Sequence, residues 1–265
     1  MSVLRSKRQI SRTEYENTMA NLYKYSRNKT IAIPKRRQKW LCDSVDSLMN
    51  SAYSTVMEAS TLYYRDEDKM SENLSNISRE AIQQLSDLQK PLLVMWNVQR
   101  FEMKTMVEWA TFINREMMLL SSFSDENGGV PQVYVLDWHR INSTEFLRNM
   151  SELHRYTHCK VSNAKMCYDN TEGKLLISFV DDALYHLFEA NRKIPKTKSE
   201  YENRREHLSI AISSLNKMNR GILAFFNLMQ YSERVMNEWS ELLVSQIKLI
   251  HGLQKSDKRR FGSLA

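Results

Sequence analysis

Glycine and proline are scarce in this 265-residue chain, at six and four residues. That scarcity argues against the many tight turns of a β-rich fold and leaves no Gly-rich loop to cradle a nucleotide phosphate. Cysteine is scarce too. Cys42, Cys159 and Cys167 are odd in number and show no CxxC spacing, which speaks against a disulfide framework or a zinc knuckle and leaves buried thiols as the expectation. No apolar run approaches the roughly 20 residues of a membrane span. The N-terminal MSVLRSKRQ lacks the apolar stretch of a signal peptide, so a soluble, cytoplasmic protein with no membrane partner is expected. HExxH, GxSxG, GxxxxGK[ST] and GxGxxG are all missing. Asp181 and Asp182 are adjacent; on a helix they point about 100° apart and read as solvated carboxylates rather than an acid/base pair. No active site assembles from these residues, so the chain is expected to be neither an enzyme nor a cofactor carrier.

What is plentiful points one way. Met, Leu, Glu, Lys, Arg and Gln dominate and 42% of residues are apolar, which favours an all-α protein with long helices and a substantial core. The net charge of +7 is unevenly placed. Residues 1–39 hold eleven Lys or Arg against Glu14 and Glu16, a balance of +9, so the rest is about neutral. A cationic segment that dense is a footprint for an anion such as nucleic acid, although a charge run also serves as a solvated face.

The sequence repeats itself. TEYENTMANLYKYSRNK (13–29) matches TEFLRNMSELHRYTHCK (144–160) at an offset of 131, with six of 17 positions identical. Ala52, Glu58 and Ala59 meet Ala183, Glu189 and Ala190 at the same offset. At an offset of 130, residues 81–109 meet 211–239 with eight identities, among them Leu85, Met106, Glu108 and Trp109, where chance gives roughly two. This predicts two tandem four-helix bundles joined by a linker: residues 1–122, a linker over 123–141, 142–255, and a mobile basic tail over 256–265. In the first copy the helices are expected at 12–30, 36–64, 77–89 and 91–122. Pro91 aligns with Gly221, which predicts a tight hairpin there in both copies. Leu228, Val235, Leu242 and Leu249, flanked by Met229, Met236, Leu243 and Ile250, predict a broad apolar stripe on the last helix. Val133–Leu136 is a short strand or an extended segment packed on a bundle.

His154 and His158 lie one helical turn apart beside Cys159, a spacing able to hold a metal on one helix face. They align with Tyr23 and Arg27, however. Positions that accept an aromatic and a cation suit a rim or an anion-facing surface better than a ligand set, so no metal is expected. The cations are better placed. Lys24, Arg27 and Lys29 approach the end of the first helix, and Lys35, Arg36, Arg37 and Lys39 follow Pro34, so the two sets should gather at one end of the first bundle. The second copy keeps Arg155, His158, Lys160 and Lys165. Tyr23, Tyr25 and Trp40 lie among the first cations and either stack on unpaired bases or belong to the core.

The unit YENTMANLYKYSRNKTIAIPKRRQKW, with paired aromatics leading through a Pro-basic turn into a second long helix, resembles the four-helix-bundle family of the accessory variability determinants of diversity-generating retroelements. Val107-Glu108-Trp109 and Asn237-Glu238-Trp239 are similar to that family's last helix. The resemblance covers nearly the whole chain, taken as two copies. It implies a non-catalytic partner of a reverse transcriptase that binds the enzyme and a structured template RNA and supports mutagenic cDNA synthesis. The Pro34 basic block and the first-helix cations would then form the basic surface, with Trp40, Arg155, Lys160 and Lys165 as further RNA contacts. That family assembles rings of single-bundle subunits; the duplication here implies self-association with a different count, or a self-contained monomer. The same fold class includes bundles linked to ribosomal RNA, and a scaffold binding only protein is the remaining alternative.

Overall fold

The computed structural model describes residues 2–34, 41–62, 70–122, 130–135, 138, 144–164, 171–229 and 231–264. Among these the chain is helical and contains no strand. It divides into two compact units, Met1–Leu136 and Asp137–Ala265.

The first unit holds α1 (Ser2–Ile31), α2 (Asp43–Leu62), α3 (Met70–Ser86), α4 (Gln89–Gln99) and α5 (Met103–Ser121). Here α1 packs on α2, α2 on α3, α3 on α5, and α5 back on α1, which closes a ring around one core. Helical spacing supplies that core: Tyr15, Met19, Leu22 and Ser26 form one buried face of α1, and Met106, Trp109, Ile113, Met117 and Leu120 one of α5. Asp43 and Asp46 in the first turn of α2 match the positive end of its dipole.

The second unit holds α6 (Glu145–Asn163), α7 (Thr171–Arg192), α8 (Lys198–Met229), α9 (Glu233–Phe261) and a final 3-10 turn, Gly262–Leu264. Its ring runs α6, α7, α8, α9 and back to α6. A capping box starts α8: the Glu200 N–H donates to Thr197 Oγ1, and Glu200 Oε2 accepts from the Lys196 and Thr197 amides.

The hairpin expected at Pro91 and Gly221 lies elsewhere. Pro91 sits in the first turn of α4, where its missing N–H costs nothing, and the expected 91–122 helix breaks after Gln99 instead. Arg100 ends α4 in the left-handed region (φ 54°), its N–H donating to Trp96 O, and α5 begins at Met103. The break recurs at Tyr231–Ser232, 130 residues on. Gly221 is interior to α8, where a Cβ would lie 2.9 Å from Leu176 Cδ2. It serves close helix approach rather than chain reversal.

The expected apolar stripe is narrower than its sequence suggests. Leu228 belongs to α8 and is exposed, and α9 buries Trp239, Leu243, Gln246 and Ile250 while Val235, Met236, Leu242 and Leu249 are only half-buried. The segment 131–135 forms neither helix nor strand and is held within the first unit by two side-chain amides that pair with its backbone. Gln89 exchanges two hydrogen bonds with the Tyr134 backbone (2.9 and 2.8 Å), and Asn114 exchanges two with Val133 (3.0 and 2.7 Å). Residues 256–261, expected as part of a mobile tail, continue α9. There Asp257 is buried against Arg204, which pairs with it through Nε (2.5 Å) and Nη2 (3.3 Å) and also donates to Ala190 O.

Candidate functional site

The same constellation stands at matching places in both units. In the first, the Tyr25 hydroxyl on α1 donates to Glu108 Oε2 and Thr105 O on α5, and its ring meets Trp109 edge-on at 6.0 Å. Trp109 Nε1 donates to Ser26 Oγ (2.8 Å), and Lys29 Nζ lies 4.9 Å over the Tyr25 ring. In the second, Tyr156 reaches Glu238 Oε2 and Val235 O, meets Trp239 edge-on at 6.0 Å, and carries Lys160 Nζ at 4.8 Å, while Trp239 Nε1 donates to Thr157 Oγ1 (3.0 Å). Burial and then the Glu108 contacts push the Tyr25 hydroxyl up to about 12, so it donates throughout the ordinary pH range. Tyr25 and Tyr156 thereby join the first and last helices of their units, each with a lysine ammonium over its ring.

This placement distributes the sequence-selected cations. Lys24 and Arg27, three residues apart, share a face of α1, whereas Lys29 lies toward α5 on the Tyr25 ring. Arg27 pairs with Asp46 Oδ2 (2.7 Å) with half its side chain exposed; a pair so exposed adds under about 1 kcal/mol and is open to exchange for another anion. Tyr23 donates to Asn50 Oδ1 and packs on Tyr53 at 4.8 Å. Arg155 and Lys160 occupy the matching places on α6, both half-buried. Lys35, Arg36, Arg37, Lys39, Trp40 and Lys165 lie outside the described residues.

A second cationic feature escaped the sequence reading because 256–265 read as a tail. With α9 extended to Phe261, Arg205 from α8 and Lys255 and Lys258 from α9 line a groove of about 500 Å³ together with Tyr201, Ser209, His251 and Gln254. Lys255 and Lys258 recur at helical spacing on α9, and Arg205 faces them from α8. That signal was visible, but the buried Arg204–Asp257 pair that fixes the helix beneath them was not.

His154 and His158 occupy no rim. Both are buried, at 0% and 2% exposure, and both rings direct Nε2 at Asp181 Oδ1 from 2.9 and 2.7 Å. Asp181 is thus no solvated carboxylate: its side chain is 15% exposed. Burial, followed by the neighbouring His158, depresses the His154 ring to about 4. Burial alone would raise Asp181, but the two imidazoles, His158 foremost, hold it well below the usual carboxylate range. An ionised carboxylate only accepts, so both rings carry a proton on Nε2 and donate to it. At the offset of 131 the three residues match Tyr23, Arg27 and Asn50, so the Tyr23–Asn50 bond of the first unit becomes a His–Asp–His cluster in the second. Among the cysteines, Cys42 is buried and Cys159, contrary to expectation, is exposed.

Among the described residues, no helix is long and apolar enough to cross a membrane. No protein family, curated protein or solved structure matches the chain.

Proposed function

We propose that the chain is two tandem copies of one four-helix bundle, joined around residues 123–141, and that it acts as a non-catalytic accessory of a reverse transcriptase, binding the enzyme and a structured template RNA in a diversity-generating retroelement. The observation that carries the reading is the +9 balance of residues 1–39, which the neutral remainder of the chain does not share. Four further features support it. The recurring Tyr–Trp–Glu–Lys constellation stands at the repeat offset in both units, as a duplication requires. Lys24 and Arg27 present cations on one face of α1. The groove bearing Arg205, Lys255 and Lys258 gives the second unit a place for RNA phosphates. Leu223 and Leu228, each 55% exposed on α8, offer apolar surface for the protein partner.

The test is RNA binding by the full chain across a salt series, with Lys35, Arg36 and Arg37 changed together to Ala. Removal of three phosphate contacts should weaken binding and reduce the slope of log K against log salt by about 2. Unchanged affinity and slope would remove the assignment of RNA to the basic block. Tight protein capture with no RNA would favour a scaffold instead.

A further inference from the structure

We propose that His154, His158 and Asp181 form a binding site for one divalent first-row transition-metal ion of the zinc type, tying α6 to α7 within the second unit. One ligand atom from each residue lies within 4.8 Å of the others. The histidines are four apart on α6, so one helix face presents both rings, and Asp181 comes from the facing helix. Two imidazoles and a carboxylate are a three-ligand set that suits zinc, leaving a fourth position for water, whereas calcium and magnesium prefer all-oxygen cages.

The side chains reach a metal-binding geometry by shifting about the shared carboxylate. Ligands at roughly 2.0–2.1 Å in a tetrahedral array stand about 3.3 Å apart, so the ring-to-carboxylate separations of 2.9 and 2.7 Å open by about half an ångström while the two ring nitrogens, within 4.8 Å of each other, draw together. The partly exposed Asp181 marks the approach from solvent.

The first unit shows why a structural latch alone does not account for this cluster. Tyr23 and Asn50 join the same two helix positions with one hydrogen bond of 2.7 Å, and Arg27 turns outward to Asp46. In the second unit all three positions carry metal-ligating residue types, two of them drawn from only six histidines in the chain. Two buried imidazoles on one oxygen are also a redundant way to make one interhelical bond, whereas a metal uses every member.

The experiment takes the full chain, stripped with a chelator, and titrates it with Co²⁺ followed by visible absorption and with Zn²⁺ followed by calorimetry. One equivalent should saturate, with the intense ligand-field bands of a four-coordinate cobalt site, and Zn²⁺ should raise the melting temperature. Asp181→Asn keeps an oxygen acceptor for both rings but loses the anionic ligand, and should bind at least about tenfold more weakly. His158→Gln retains a donor toward Asp181 and serves the same purpose if the first variant misfolds. Absence of a saturable one-to-one site, or undiminished affinity in whichever variant keeps the wild-type helical signal, would overturn the proposal.

Discussion

At the scale of single residues, the two units answer the same buried position with different chemistry. Gln246, fully buried on α9, donates Nε2 to Phe146 O at 3.0 Å. Its counterpart on α5 is Glu116, equally buried, and neither carboxyl oxygen has a hydrogen-bond partner. Burial pushes Glu116 up to about 9, against a small opposing pull from Arg115. The folded chain therefore keeps a proton that the unfolded chain releases above about pH 4.5. Folding takes up that proton, so stability falls as pH rises from about 4.5 to about 9. Glu116→Gln should flatten this decline and raise stability at pH 8 by on the order of 2 kcal/mol, with the gain vanishing below pH 5 in denaturant titrations. Equal pH profiles for the two proteins would show that Glu116 is ionised in the fold. A second residue-scale outcome concerns the tryptophans. Trp239→Phe replaces the buried indole with a smaller phenyl and loses the donation to Thr157, at a cost of about 2 kcal/mol by thermal melting, with Trp109→Phe behaving alike toward Ser26.

At the scale of elements, the paired aromatics and late tryptophans were legible, because the residues aligned by the repeat make matching contacts in both units. The breaks were less so. Pro91 and Gly221 drew the hairpin toward themselves since proline and glycine usually punctuate helices, yet one is tolerated in a first turn and the other admits Leu176. The true break carries no glycine and is made by Arg100 in the left-handed region. Arg100→Gly should relieve that strain and raise stability by up to about 1 kcal/mol, and a loss on melting would mean that the arginine side chain holds the turn. The end of α9 misled for a different reason: KSDKRRFGSLA is polar on its face, but Asp257 finds a buried arginine 53 residues away. Deletion of residues 256–265 should therefore destabilise the second unit by roughly 3–5 kcal/mol, since Arg204 is left as an uncompensated buried charge. A melting temperature unchanged by the deletion would restore the tail.

At the scale of the whole molecule, helical character was legible from composition, and the charge asymmetry was legible by counting. The histidine cluster was not. His154 and His158 were visible as a pair, but the third member sits 23 residues beyond on another helix, and two adjacent aspartates gave no hint which one turns inward. Nor does a sequence announce a partner, because a cationic helix face serves RNA, an acidic protein or water with the same residues. The accessory role is thus open to test in the cell that makes the protein, by capturing the tagged chain and identifying the co-purifying protein by mass spectrometry and the co-purifying RNA by sequencing. An accessory role predicts a reverse transcriptase together with one dominant structured RNA. Recovery of ribosomes, or of a protein partner with no RNA, would contradict it.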